Sequence, residues 1–319
     1  MLLYGLDTDT SFAQALATEL GVGLAPFENR HFEDGEHKLR PLSDPRGQDA
    51  YVLHSLYGGP SESPHDKLCQ LLMFMATLRD HGCARVSAVV PYLAYARKDR
   101  QTKPFDPVTL RYVAQLFEAV GTAQIFVLEA HNVAAFQNAF RCPTVHVEAH
   151  SAFEAMVSEG LGEQAVAVAS PDPGGVKRAQ LWRESLALTL GRPVGFAMVD
   201  KRRSAGLVSS DNLVAGDVNG MTVMLLDDLI ASGDTMRRAA VALRGAGARQ
   251  VLAFAAHGLF VGSAAEVLRD ESIGQVIITD SVPPFRLPAV HDMRKKLRVV
   301  SAAPLFAQAI RASHAAWRR

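Results

Sequence analysis

Short apolar runs punctuate the chain at 51–53, 86–90, 125–128, 166–169, 194–199, 222–226, 251–256 and 276–278, each rich in β-branched or large aliphatic residues. Runs of this length between turn-forming residues predict buried strands. Between several of them, apolar residues recur with a helical period, at 67–79, 108–119, 177–190 and 237–243. Strands alternating with helices predict an α/β architecture with largely parallel sheets. Such sheets bind ligands at the carboxyl ends of their strands, so the residues just after each apolar run are where chemistry is sought.

No Gly/Ser-rich linker divides the chain, and its turn-rich places are 58–64, 171–175 and 283–288. A length of 319 residues suits two domains, and a boundary near 148 gives halves of similar size. The last helical pattern, 304–317, can pack on either half. Hydrophobic residues make up 48%, enough to bury a sizeable core. No stretch approaches the roughly 20 apolar residues of a membrane span, so no membrane is expected as a partner. The first residues, MLLYGLDTDTS, lack a basic leader and soon turn polar, so a cytoplasmic location is expected. Lysine plus arginine equals aspartate plus glutamate at 33 each, leaving no net field for a polyanion, and nucleic acid is not expected either. Cys69, Cys83 and Cys142 lack metal-ligand or redox spacing, and are expected to be reduced, mostly buried thiols.

The most informative local feature is LLDDLIASGDT at 225–235. An apolar strand ends in Asp227 and Asp228, and a short Ser/Gly/Thr loop then opens a helix. Backbone N–H groups of such a loop, backed by the helix N-terminus, make a site for a phosphate. Ser232 and Thr235 add hydroxyl donors, and the two acids are placed to bond the vicinal hydroxyls of a sugar, directly or through Mg²⁺. The competing reading is a solvated acidic turn with a Thr cap. SPDPGGVKR at 170–178 repeats the layout after another strand, with Asp172 at the strand end and two glycines admitting a ligand or metal close to the backbone. A tight turn with an exposed acid is its plainer reading.

YARKDR at 95–100 sets three cations around one acid beyond a strand, an arrangement that suits a polyphosphate. FEDGE at 32–36 offers an aromatic face and carboxylates around a turn, and His131 follows the strand at 125–128 as a candidate metal ligand. DKRR at 200–203 follows another strand and leads into 204–211, which has few apolar anchors. Mobile loops carrying cations close over transferring phosphates. Alone, the charged runs also read as solvated surface, the commoner fate of such runs, and a lone His at a strand end is more often a hydrogen-bonded structural residue.

Together the segments resemble the ribose-phosphate pyrophosphokinase (phosphoribosyl diphosphate synthetase) family, in order from Arg30 to about Pro283. The matching stretches are RHFEDGE, PYLAYARKDR, DPVT at 106–109, SPDPGGVKRA, DKRR, LLDDLIASGDT, AHGLFVG and TDSVP. The resemblance implies two tandem phosphoribosyltransferase-like domains, each a mainly parallel sheet flanked by helices. They would span 1–147 (the ATP side) and 148–290 (the ribose 5-phosphate side), with 291–319 a C-terminal segment able to pack back on the first. It implies ATP and ribose 5-phosphate as substrates, Mg²⁺ as cofactor and a homo-oligomer. Phe32, Asp34, Gly35, Glu36, Arg97 and Lys98 would bind ATP, and His131 and Asp172 would sit at metal positions. Lys201 and Arg203 would be the cationic catalytic pair on a flexible loop. Asp227, Asp228, Ala231, Ser232, Gly233, Asp234 and Thr235 would bind ribose 5-phosphate. The products would be 5-phosphoribosyl 1-diphosphate and AMP.

Four stretches depart from the family pattern. Lys98 stands where Gln is usual, 134–136 reads Ala-Ala-Phe instead of Gln-Ile-Gln, and 204–207 replaces a basic, proline-containing loop. Ala231 replaces a common acid and Asp234 a common Gly; a carboxylate there repels a bound phosphate unless it turns away or complements the helix dipole. Three alternatives follow: a non-catalytic relative that associates with true synthetases, simple phosphoribosyl transfer to a base, and the same chemistry on another pentose phosphate or nucleotide.

Overall fold

The computed structural model describes residues 1–317 except 8, 205, 206 and 289–294, and leaves the side chains of 159, 161 and 201–212 undescribed. The chain divides into two compact units, Met1–Glu148 with Ala302–Arg319, and Ala149–Ser301.

In the first unit, strands β1 (Leu2–Gly5), β4 (Asp49–Leu53), β5 (Arg85–Val90), β6 (Gln124–Leu128) and β7 (Thr144–Val147) lie side by side in that order, all parallel. The largely apolar sequences of β4, β5 and β6 reflect burial on both faces. A separate antiparallel hairpin, β2 (Phe27–His31) and β3 (His37–Pro41), has mostly exposed residues and so carries no apolar run for a sequence pattern to detect. Helix α2 (Pro64–Asp80) starts where Ser63 and Asp66 form a reciprocal capping box with Pro64 in the first turn. The last helix, Ala303–Trp317, packs on α1 (Ser11–Leu20), with Phe306 edge-on to Phe12 at 5.8 Å. Its Ser313 hydroxyl meets Gln124, and Nδ1 of its His314 lies 3.3 Å from Asp49.

The second unit holds a seven-stranded sheet in the order β10-β9-β8-β11-β12-β13-β14. These strands are β8 (Val166–Ser170), β9 (Gly195–Ser204), β10 (Leu207–Ala215), β11 (Thr222–Ile230), β12 (Gln250–Gly258), β13 (Gln275–Thr279) and β14 (Leu297–Val300). All neighbours are parallel except β9 and β10. Phe153, Trp182 and Phe254 are fully buried and meet at ring separations of 4.9 to 6.0 Å. The unit runs past residue 290 to Ser301, because β14 completes the sheet against β13.

Three sequence expectations are corrected. The stretch expected as a loop at 204–211 is largely strand, with β10 pairing β9 across a register shift between Val208 and Asn212. An edge strand needs few apolar anchors, which is why its polar centre reads as loop. The strand expected to end at Leu226 continues through the acids to Ile230, because β12 still pairs with it there. Finally, the cysteines are free but not mostly buried: Cys69 is exposed, and Cys83 and Cys142 are half-buried. Among the described residues, no helix is long and apolar enough to cross a membrane.

Candidate active site

In the second unit the chain leaves β8 toward β9 on one side, then returns through β11 toward β12 on the other. Beyond the carboxyl ends of β8 and β11 lies the crevice of a topological switch point, the usual ligand position in an open α/β sheet. β8 pairs with β11 only as far as Ala169 and Leu225, so Asp227 and Asp228 project past the end of β8 on a strand still held from its other side.

After β8, Asp172 opens a 3₁₀ turn at Pro173–Gly175. Its Oδ1 accepts hydrogen bonds from the N–H groups of Gly174 (2.9 Å) and Gly175 (3.2 Å). The Ser170 hydroxyl donates to the Asp172 carbonyl at 2.6 Å. A Cβ at residue 175 would stand 2.7 Å from that hydroxyl oxygen and 3.9 Å from the Leu226 carbonyl, so a glycine lets this turn lie against β11. The next helix, α6 (Val176–Leu190), then presents Arg178, whose Nη1 is 3.8 Å from Oδ1 of both Asp227 and Asp228.

Asp227 also accepts from the Asp228 N–H at 2.9 Å. Burial, followed by the charge and side chain of Asp228, pushes the Asp227 carboxyl well above its ordinary value, and Arg178 only partly opposes this. Two carboxyls and one guanidinium thus share a confined space, able to accept hydrogen bonds from the hydroxyls of a sugar.

The following loop turns at Gly233 with φ of 85°, a conformation that favours glycine, and its N-terminal side is tied down by the Val261 N–H bond to the Ala231 carbonyl at 3.0 Å. Helix α7 (Asp234–Gly245) begins at once, with Thr235 in its first turn. The Asp234 carboxylate turns back onto Ser232, whose hydroxyl donates to it at 2.8 Å. Asp227, Asp228, Ala231, Ser232, Gly233, Asp234 and Thr235 therefore occupy one strand-to-helix turn. Lys201 and Arg203 belong to β9, their backbones in register with Asn212 and Val208, and their side chains lie outside the described ones.

In the first unit Phe32, Asp34, Gly35 and Glu36 form the tip of the β2–β3 hairpin. The Phe32 N–H bonds the Glu36 carbonyl at 2.7 Å, the Glu36 N–H bonds Asp34 Oδ1 at 3.0 Å, and Gly35 takes φ of 93°. The Phe32 ring is 41% exposed with the Arg30 guanidinium 4.9 Å from its centre, an open aromatic face on which a base can stack. Beyond β5, Arg97 is exposed, whereas the Lys98 ammonium is 2.5 Å from Asp106 Oδ2. The same loop reaches the turn beyond β6, where Asn132, next to the exposed His131, donates to Asp99 at 2.7 Å. Among the described residues, no three His, Cys, Asp or Glu side chains gather as a ready metal cage.

Nothing in the linear motif SPDPGGVKR marks Arg178 as a partner of the acid pair. It lies some fifty positions before the acids it faces, and only the β8–β11 pairing brings them together. A cation one turn into the helix after a strand-end acid was the available signal.

Residues 1–121 match the family model described as the N-terminal domain of ribose phosphate pyrophosphokinase, and 208–317 match the phosphoribosyl synthetase-associated domain. A ribose-phosphate pyrophosphokinase of Hyphomonas neptunium is 33% identical over 98% of this chain and 96% of its own. One of Caldanaerobacter subterraneus is 34% identical, covering 97% and 93%. The chain belongs to the ribose-phosphate pyrophosphokinase family. The crystal structure of phosphoribosylpyrophosphate synthetase from Mycobacterium smegmatis superimposes with a TM-score of 0.84 at 32% identity, covering 98% of both chains. The family fold, two tandem phosphoribosyltransferase-like α/β units, is thus the fold of this chain.

Proposed function

We propose that the protein transfers the diphosphoryl group of ATP to the C1 hydroxyl of ribose 5-phosphate, releasing AMP and 5-phosphoribosyl 1-diphosphate. The observation that carries this reading is the turn at the end of β11, where an acid pair facing Arg178 leads directly into a Ser/Gly/Thr loop and a helix N-terminus. Asp227 and Asp228 receive the vicinal ribose hydroxyls, and the loop from Ala231 to Thr235 receives the 5-phosphate. This fixes the direction of the C1 hydroxyl. Phe32 supplies a stacking face for adenine, with Asp34, Gly35 and Glu36 on its ribose side. Arg97 grips the polyphosphate, with Lys98 behind it.

Phosphoryl transfer is governed by positioning and by stabilisation of charge on the non-bridging oxygens. Lys201 and Arg203 stabilise the charge on the transferred group and the departing AMP. We assign Mg²⁺ as the cofactor, with His131 and Asp172 at metal positions. A carboxylate whose direction is set by two backbone N–H groups fits a hard cation that completes its shell with water and substrate phosphates. When bound, the ion neutralises phosphate charge. We further place the enzyme in the cytoplasm as a homo-oligomer.

Incubation with ATP, Mg²⁺ and ribose 5-phosphate, followed by phosphorus NMR, tests the reading. Matched appearance of AMP and a sugar diphosphate is expected. Absence of product from folded protein with every nucleotide and pentose phosphate tried would overturn it in favour of a non-catalytic, synthetase-associated role.

A further inference from the structure

The Ser232 hydroxyl carries a single proton to donate, and it is spent on a carboxylate of its own loop, Asp234 Oδ2 at 2.8 Å. The acceptor side of the same oxygen faces the Asp234 N–H at 3.5 Å, so residue 234 engages the hydroxyl from both its backbone and its side chain. Asp234 is also the first residue of α7, where the positive end of the helix would otherwise act on an incoming anion. Both side chains are half-buried, which weakens the screening of their charge by water. A negative group already rests where a phosphate would be received, on the donor a phosphate would use.

We propose that Asp234 is a specificity-determining residue: its carboxylate acts as a resident anion that competes with the substrate's phosphate for the Ser232 hydroxyl and the start of α7. This rests on assigning the loop to a sugar phosphate and says how strongly the loop holds it. To bind, a phosphate must take the Ser232 proton and turn the carboxylate aside. The loop therefore holds phosphate more weakly than its backbone allows, and selection for a phosphorylated over an unphosphorylated sugar is softened. The ordinary role of an acid in a first helical turn, stabilising the helix, predicts something different on substitution: lower stability and no gain in binding.

Asp234→Asn and Asp234→Gly separate the two. Asn keeps an oxygen acceptor for Ser232 but removes the charge; Gly removes both. The expected result is a fall in KM for ribose 5-phosphate of about fivefold to tenfold in Asp234→Asn, the size of effect one charge produces at a helix N-terminus. A larger fall is expected in Asp234→Gly, and the preference for ribose 5-phosphate over ribose in kcat/KM should rise in both. KM for ATP is measured alongside as a control. Wild-type turnover with an unchanged or raised KM for ribose 5-phosphate in both variants would overturn the inference and leave the proposed reaction standing. If the wild type gives no turnover, calorimetric titration with inorganic phosphate decides the inference separately. Tighter phosphate binding by the variants supports it, and equal or weaker binding overturns it.

Discussion

The Lys98 ammonium lies 2.5 Å from a carboxylate oxygen of Asp106. That carboxylate also accepts from the Thr102 hydroxyl and from the backbone N–H groups of Thr102 and Lys103. The hydrogen bond from Lys98, followed by those from Thr102, holds the Asp106 carboxyl far below its ordinary range. The residue that replaces the family's usual Gln is thus engaged in folding its own loop: the Lys98 carbonyl accepts from the Leu110 N–H at the start of α3 (Thr109–Ala119). Lys98 is better placed to shape the segment carrying Arg97 than to grip phosphate itself.

If so, Lys98→Met and Asp106→Asn should raise KM for ATP to a similar extent, about tenfold, as expected when a binding group is displaced from its productive position. The double variant should be no worse than either single one, since both remove one interaction. A direct phosphate contact by Lys98 predicts the opposite for Asp106→Asn, which would release the ammonium and lower KM. Steady-state kinetics of the three variants decide the matter.

Beneath the ends of β1 and β4, Asp7 is held at 3.0 to 3.1 Å by the Lys67 ammonium, His54 Nδ1 and the Ser55 N–H, and the Lys67 ammonium lies 3.6 Å from the centre of the Tyr57 ring. Lys67 and His54 are 3% and 0% exposed, so water can compensate neither. Burial alone would raise the Asp7 carboxyl, but His54 and Lys67 outweigh it and the net direction is downward. Lys67→Met should cost about 3–5 kcal/mol, because it strands a buried carboxylate, and Asp7→Leu combined with it should recover much of the loss. A depressed folded-state value means that this stabilisation is present above the ordinary carboxylate value of 3.8 and is lost as pH falls through the lower folded one. Urea unfolding of wild type and variants across acid pH checks both statements.

Asp227 has the opposite sign. Its carboxyl is raised by burial and by Asp228, so its contribution to stability is full below 3.8 and is lost as pH rises through the higher folded value. Asp227→Asn should therefore unfold at higher urea than wild type near neutral pH. It should at the same time lose most turnover. Stability gained where activity is lost is the pattern of a strained functional site. A variant no more stable than wild type at neutral pH would remove the strain from the account.

The apolar runs at 166–169, 222–226 and 251–256 announced β8, β11 and β12, because strands buried on both faces leave little room for polar residues. The acid pair and its loop were legible for the same reason, as an abrupt change of chemistry at a strand end. The β2–β3 hairpin and β14 were not, since strands with water on one side carry weak patterns, nor was β10, which pairs only with β9 at the sheet edge. Nor could a linear pattern show that Arg178 faces the acids, that Asp106 holds Lys98 or that Asp234 holds Ser232. These contacts depend on strand order and side-chain direction, and each changes what a motif residue is free to do.

Lys201 and Arg203 remain the residues on which the proposed chemistry most depends. Both belong to β9, close to its edge partner β10, and both are cations two positions apart where the second sheet ends. If they stabilise charge on the transferred group, Lys201→Ala should lower kcat about 10²–10³-fold, the usual loss when one such donor is removed. The melting temperature should stay close to that of wild type. Because the two cations act on one transition state, the double alanine variant should fall well short of the product of the single effects. Intact turnover in Lys201→Ala would remove it from the mechanism. Multiplicative losses would mean that the two residues act at separate steps, one of them in binding and not in the transfer itself.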